Sequence, residues 1–386
     1  MTARTIWLVA GEDSGDQLGA KLIPALDALA EGPIVYGGVG GEAMSAQGFP
    51  SLFPIDDVAV MGYLPVLARL PTLLRRIRET VAAIVAARPD VLVIIDSPGF
   101  THAVASRVRK RLPDLPIVDY VSPSVWAWRP WRAATMRAYV DHVLALLPFE
   151  PDAHRRLGGP TCSYVGHPLI ERLAEFRPSP EDVCARTGTP PRLVVLPGSR
   201  RSEIERLMPV FGAALALLVE RIGPVEVALP AVTRHRALIE RLTIPWTVPV
   251  RVVHGEVAKH RAFRQARAAL AASGTVTLEL ALAGVPMVVA YRVSRAEEFV
   301  ARRLIQVPTI VLPNLILGEN AMPEFIQADC TAGRLADALA PLATDGPARA
   351  AQVVALERID ALMGLAHGDA PSRSAARIVL GSIRGG

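Results

Sequence analysis

Residues 192–203 read RLVVLPGSRRSE. Leu193–Leu196 is a short, wholly apolar run of buried-strand character. Pro197 and Gly198 then turn the chain, and Glu203 opens a helical pattern through Ile204, Leu207, Met208 and Phe211. A strand, a tight glycine turn and a helix start make an anion site, because backbone N–H groups and the positive helix end face whatever lies beyond the strand. Ser199 belongs to the turn, and Arg200 and Arg201 add charge in a shape that matches phosphate. A surface turn with solvated arginines reads the same way, so the rest of the chain must decide.

Toward the carboxyl end, Val225–Ala228, Val250–Val253, Ala268–Ala272, Met287–Ala290 and Thr309–Leu312 read as further strands, with helical patterns between most of them. Ser273, Gly274 and Thr275 follow one strand and open a helix carrying Glu279 about one turn further in. This second glycine-containing helix start suits a diphosphate. Glu279 could reach ribose hydroxyls, or could be a solvated helix-face carboxylate.

Toward the amino end, Ile6–Val9, Ile34–Gly37, Val91–Ile95, Ile117–Val121 and Val143–Leu147 continue the pattern. The loop after the first holds Glu12, Asp13 and Asp16. Three acids there repel phosphate and suit hydroxyls or an amine, or simply face the positive end of the next helix. Gly38–Ala43 fits G-x-G-x-x-A, but after the second strand rather than the first, which favours a tight βα turn over a nicotinamide-dinucleotide site. Asp96 ends the Val91–Ile95 run, at the strand end where parallel sheets gather ligands. Trp126, Trp128 and Trp131 crowd the loop after Ile117–Val121, to stack on sugars or acyl chains or to pack locally.

Val58–Arg78 has a different character. Val66, Leu67, Leu70, Leu73, Leu74 and Ile77 recur at helical spacing, and Pro71 predicts a kink or two short helices. Arg69, Arg75, Arg76 and Arg78 fall on or beside the other face, and Met61, Tyr63 and Leu64 precede the pattern. A basic amphipathic segment of this kind suits an anionic membrane surface or acyl chains; a core-facing helix with solvated arginines is the ordinary alternative.

Strands alternating with helices in two halves predict an α/β fold of two doubly wound, Rossmann-like domains facing across a cleft. The expected division is 1–170, a Pro-, Arg- and Glu-rich linker at 171–191, a second domain at 192–350, and helices over 351–386 that pack back toward the first domain. The chain has 386 residues, 51% hydrophobic, with a net charge of +5. That mild basic excess fits anionic small molecules or a membrane surface and argues against a committed nucleic-acid binder. Cys162, Cys184 and Cys330 are scattered, without disulfide or zinc spacing, which points to a reducing compartment. No apolar run is long enough to span a bilayer, and Trp7–Ala10 is too short for a signal peptide. There is no Asp-x-Asp, no Walker A loop and no His/Cys ligand cluster, so no metal or cofactor is expected and phosphate would be neutralised by helix ends and arginine.

The motifs Val9-Ala10-Gly11-Glu12, Ser14-Gly15-Asp16, Val60-Met61-Gly62, YVSPSVWAWR at 120–129, Leu147-Pro148-Phe149-Glu150, Val165-Gly166-His167-Pro168, LPGSR at 196–200, Ser273–Thr275 with Leu278-Glu279, Pro286–Ala290 before Tyr291-Arg292, and Leu312-Pro313-Asn314-Leu315 together resemble the lipid-A-disaccharide synthase family of GT-B glycosyltransferases. The likeness runs from about Ile6 to about Cys330, with one departure: Thr101 stands where the family commonly has Asn.

The resemblance implies inverting, metal-free transfer of a sugar from UDP-2,3-diacylglucosamine to 2,3-diacylglucosamine 1-phosphate (lipid X). It would yield a lipid A disaccharide 1-phosphate and UDP at the cytoplasmic face of the inner membrane, as a peripheral protein. In that reading Asp96 is the base, with Glu12 and Asp16 as rivals. Ser199, Arg200, Ser273, Gly274, Thr275, Glu279 and Asn314 would hold the UDP-sugar. Met61, Tyr63, Leu64, Arg69, Arg75 and Arg76 would meet acyl chains and anionic headgroups. A homodimer stays open. The competing readings are a lipid-linked N-acetylglucosaminyltransferase of peptidoglycan synthesis, an NAD-dependent oxidoreductase using Gly38–Ala43, and a non-enzymatic nucleotide-regulated membrane-binding protein.

Overall fold

The apolar runs assemble into two parallel sheets. The structure, a computed structural model, describes residues 3–59, 63–304, 307–365 and 369–383. The first sheet contains β1 (Arg4–Ala10), β2 (Ile34–Val39), β3 (Val91–Ile95), β4 (Ile117–Tyr120), β5 (His142–Ala145) and β6 (Thr161–Tyr164), in the order β2-β1-β3-β4-β5-β6. The second contains β7 (Arg192–Leu196), β8 (Glu226–Ala231), β9 (Val250–His254), β10 (Ala268–Ala272), β11 (Met287–Tyr291) and β12 (Glu324–Ile326), in the order β12-β11-β10-β7-β8-β9. In both sheets the winding reverses after the first two or three strands. The switch points lie between β1 and β3 and between β7 and β10. Crevices for ligands open at the carboxyl ends of such strand pairs.

Chain contacts divide the molecule into one unit of residues 1–171 with 364–386, and another of Arg172–Met363. Each has its own core. In the first, β1 and β3 are almost wholly buried beneath Leu22, Leu26 and Ile84, and Ala375, Ala376 and Val379 of the helix Pro371–Ser382 complete the cluster. In the second, Leu193, Val195 and Leu270 pack against Ile204, Phe211 and Leu215 of the helix Arg201–Ile222. Gly166 marks where the returning chain lies on the first unit. Its φ is +93°, and a Cβ there would come within 2.8 Å of Leu365 and 2.9 Å of Pro371.

Several expectations need correction. Residues 171–191 carry the end of a 3-10 turn and two short helices, Leu173–Phe176 and Pro180–Thr187, and from Arg172 onward they count with the second unit. Their capping box at Ser179 and Asp182, and the Asp182–Arg264 ion pair at 2.9 Å, bind them down. A boundary at residue 350 falls inside the helix Pro347–Met363, which stays with the second unit. Thr309–Leu312 is not a strand: Pro313, which lacks an N–H, sits in the first turn of a helix Leu312–Leu317, closed by Gly318 in the left-handed region. The last strand is instead Glu324–Ile326, three residues with no periodic signal. The strand β6 is a partly exposed edge of polar character, TCSY, and shows no apolar run either.

The segment after Val58 also differs. Tyr63–Ala87 is one helix that continues through Pro71. Its apolar residues divide between two directions: Ile77, Val81 and Ile84 are buried, while Leu70 is 43% and Leu74 36% exposed. Among the described residues, no helix is long and apolar enough to cross a membrane.

Candidate active site

In the first unit the switch point carries Glu12 and Asp96. Asp96 follows β3 with φ +54°, and Ser97 follows it with φ +45°. Two successive non-glycine residues in the left-handed region cost on the order of 1–3 kcal/mol each, and such strain persists where neighbours hold it. Here the neighbour is Thr101, fully buried, whose Oγ1 donates to the carbonyls of Asp96 (2.7 Å) and Ser97 (3.1 Å). The Asp96 carboxylate accepts from Ser14 Oγ at 2.5 Å and from the Ser97 N–H at 2.7 Å. Glu12 stands close by. Its partial burial, and then the charge of Asp96, hold its carboxyl above the ordinary range, against a hydrogen bond from Ser97. Two carboxyl groups thus share one strand-end crevice, one of them with raised proton affinity.

Asp16 does not belong to that pair. It is 4% exposed, and its oxygens accept the N–H groups of Gly41 (2.7 Å), Ala43 (2.8 Å) and Met44 (3.1 Å). It caps the short helix Glu42–Ser45, so its lone pairs are spent on backbone. The same bonds consume the N–H groups that a dinucleotide phosphate would need at Gly38–Ala43.

In the second unit the carboxyl ends of β7 and β10 open into a cavity of about 600 Å³. Its lining includes Ser199, Arg200 and Glu203 from the LPGSR turn, Ser273, Gly274, Thr275 and Glu279 from the turn after β10, and Glu256 and Lys259 from the helix after β9. The two phosphate-type turns therefore meet in one place. The LPGSR turn is not vacant, however. Glu203 reaches back to accept the N–H groups of Ser199 and Arg200, both at 3.2 Å, and also meets the Arg200 guanidinium at 3.1 Å and the Tyr291 hydroxyl at 3.2 Å. Gly198, with φ +104°, is required there because a Cβ would lie 2.5 Å from the Glu203 carboxylate. With those two N–H groups capped, positive charge at this turn comes from the Arg200 side chain, which is 67% exposed. Burial and the Glu203 charge raise the Tyr291 phenol above its ordinary range. Ser273 Oγ donates to the Ile310 carbonyl at 2.6 Å, which fixes the start of its turn.

Asn314 does not line this cavity. It is 1% exposed and clamps Met322, accepting that N–H and donating to that carbonyl, both at 2.9 Å. Its role is to hold the chain entering β12. A larger cavity of about 830 Å³ opens at the amino ends of β7, β8 and β9. It lies at the end of the sheet opposite to the helix starts, which face the smaller cavity.

Of the basic and apolar residues expected at a membrane, Met61 lies outside the described residues, as do the side chains of Tyr63 and Leu64. Arg75 is exposed. Arg69 donates to the Asp56 carbonyl at 3.0 Å. Arg76 is spent within the fold: it pairs with Asp57 (2.5 Å) and Glu79 (2.7 Å) and lies over the Phe53 ring at 4.4 Å. The tryptophan loop is held from below, Trp126 Nε1 donating to the buried Glu150 at 3.0 Å. Sequence reasoning missed Lys259 and Glu256, and met Tyr291 only as part of a motif, without a role. One signal was available for the first: Lys259 is one of only three lysines among 42 basic residues, in a chain that otherwise uses arginine.

Comparison with known proteins bears on family and fold. The family model described as lipid-A-disaccharide synthetase matches residues 6–378. The lipid-A-disaccharide synthase of Nitrobacter hamburgensis is 52% identical over 379 residues, covering 98% of this chain and 96% of that protein. That of Rhodopseudomonas palustris strain BisB18 is 55% identical over 380 residues, with 98% and 96% covered. Among solved structures, MurG of Acinetobacter baumannii superposes with a TM-score of 0.60 at 14% identity, covering 98% of this chain and 99% of that one. The UDP-GlcNAc 2-epimerase of Methanocaldococcus jannaschii, solved with UDP-GlcNAc and UDP, gives 0.54 at 11% identity, with 97% and 98% covered. At such identities the structural likeness speaks for the fold alone, two doubly wound α/β units of the GT-B class. Near-complete coverage at over 50% identity speaks for descent, and the chain belongs to the lipid-A-disaccharide synthase family.

Proposed function

We propose that this protein condenses UDP-2,3-diacylglucosamine with 2,3-diacylglucosamine 1-phosphate, releasing UDP and the β-1,6-linked lipid A disaccharide 1-phosphate. The observation that carries the reading is the cavity of about 600 Å³ in which the turns at Ser199–Arg200 and Ser273–Thr275 come together with Glu279. The second unit is the donor side. Arg200 and the N–H groups at the turn after β10 offset the charge that grows on the departing diphosphate, and Glu279 accepts from ribose hydroxyls. The first unit is the acceptor side. Asp96 accepts the proton of the attacking 6-hydroxyl as the bond to the anomeric carbon forms and the bond to UDP breaks on the opposite face, which inverts the centre. Glu12, beside it, is the second carboxyl of the pair.

The first unit also meets the membrane in this reading. Leu70 and Leu74 stand exposed one helical turn apart, beside the exposed Arg75. An apolar pair flanked by cations suits an interfacial helix, with attraction to anionic lipids added to apolar burial. The test is direct: incubate the protein with both diacylated substrates and follow UDP release and the tetraacylated product. Product from both substrates together, and from neither alone, supports the reading. UDP release without a disaccharide, or thermal stabilisation by NAD and not by UDP, would sink it.

A further inference from the structure

The donor cavity holds more negative charge than a nucleotide site should. Three carboxylates line it, Glu203, Glu256 and Glu279, against the cations Arg200 and Lys259. Glu203 is satisfied by its own turn, by Arg200 and by Tyr291. That leaves Glu256, which also has Arg172 at 3.8 Å and His260 at 3.4 Å, and Glu279 facing a ligand that is itself anionic, with Lys259 set between them. Its Nζ lies 3.0 Å from Glu256 Oε2 and 2.9 Å from Glu279 Oε2. The contact to Glu279 is ionic rather than an aligned hydrogen bond, since Oε2 is buried and otherwise unpartnered among the described residues. Lys259 is 20% exposed and Glu279 15%, so this pair is drier than the usual solvated surface pair and is less screened. The ammonium also lies 5.9 Å from the Phe263 ring, one turn on in its own helix.

We infer that Lys259 is a positioning residue for ribose recognition: it fixes one oxygen of Glu279, offsets one of the two charges of the carboxylate pair, and leaves the other Glu279 oxygen to accept from the sugar hydroxyls of a nucleoside diphosphate. This rests on the donor-site reading above. Lys259 acts through Glu279, without touching the ribose. Its loss frees Glu279 to rotate and leaves two carboxylates beside the diphosphate. The first effect erases the preference for a hydroxylated sugar, and the second weakens every anionic ligand.

The experiment measures binding of UDP and of 2′,3′-dideoxy-UDP to the full chain and to K259M and K259R by calorimetry, with thermal midpoints taken on the same samples. The wild type should prefer UDP by roughly 10- to 100-fold, the scale of hydrogen bonds to a charged group. In K259M that ratio should fall toward one, and K259R, which keeps the charge, should recover most of it. A K259M protein that loses affinity for both ligands equally, with the ratio intact, overturns the inference and leaves Lys259 a plain contributor of charge. If K259M melts early, the K259R ratio decides: a folded K259R with the same low ratio as a Glu279→Gln variant also overturns it. Failure of the donor-site reading looks different, because the wild type itself would then bind no UDP or show no preference, and the inference would fall with it.

Discussion

Thr101 Oγ1 donates to the main-chain carbonyl of Asp96 at 2.7 Å, from a position with no solvent exposure. The bond explains how Asp96 and Ser97 keep their left-handed backbone, and it gives Thr101 a physical role. Thr101→Val keeps the shape and removes the donor. It should cost about 1–3 kcal/mol, the range for an orphaned buried acceptor, and turnover should drop as the carboxylate loses its fixed aim. Thermal midpoint and kcat on one sample check this. A variant as stable and as fast as the parent would show that the loop holds itself.

Asp96→Asn preserves the packing, since an amide can still accept from the Ser97 N–H and meet Ser14. It removes the basicity. We expect kcat to fall by roughly 10²–10⁴, the typical worth of a positioned base, with the thermal midpoint and UDP affinity nearly unchanged. Glu12→Gln is the control. A larger loss in Glu12→Gln than in Asp96→Asn would transfer the base to Glu12, whose proton affinity burial and Asp96 already raise.

Arg200→Ala separates function from stability. The side chain is 67% exposed, so its pair with Glu203 contributes little to folding, and the midpoint should barely move. UDP affinity or turnover should fall by about one to three orders of magnitude, as for other charge-stabilising donors. Isothermal titration with UDP and a turnover assay read the two effects, and unchanged values would remove Arg200 from the site.

Glu150 makes stability depend on pH. Burial lifts its carboxyl from 4.5 to about 7, against the hydrogen bonds from Leu147, Trp126 and Leu146 that pull it down. Between those values the folded chain keeps a proton that the unfolded chain releases. Stability from this group is therefore complete below about pH 4.5 and is lost as pH rises through 7, by about 3 kcal/mol in all. Thermal midpoints of the parent and Glu150→Gln at pH 5 and pH 8 test it. The difference, variant minus parent, should be more positive at pH 8, and a difference that is constant or reversed in sign contradicts the assignment.

Replacing Leu70 and Leu74 together with Ser should lower binding to anionic vesicles and leave UDP affinity alone, because both side chains are exposed. Binding of the parent should weaken with added salt as the arginine contribution is screened. Vesicle sedimentation at two ionic strengths measures both. If sedimentation of the double variant matches the parent, the helix meets the membrane elsewhere or not at all.

The α/β class and most of the strands are legible in the chain's residues alone, because parallel strands buried on both faces must be short apolar runs, and runs such as Val91–Ile95 and Ala268–Ala272 have no other reading once helices alternate with them. The turns at Ser199–Arg200 and Ser273–Thr275 are legible there too, since glycine at a strand end before a helix is a local requirement. Which polar side chains are free to act emerges only once the chain is folded. Asp16, Asn314 and Arg76 carry the right chemistry in the right stretches, yet other partners consume them, some near in sequence and some far: Gly41, Ala43 and Met44 for Asp16, Met322 for Asn314, and Asp57 with Glu79 for Arg76. Whether a carboxylate braces a loop or faces a crevice depends on partners tens of residues away, and no local spacing records that. Lys259 is the converse case. Nothing in its own helix marks it beyond being a lysine, and it enters the donor cavity because the helix after β9 crosses back over β8 and β7 on its way to β10, bringing its ammonium to Glu279.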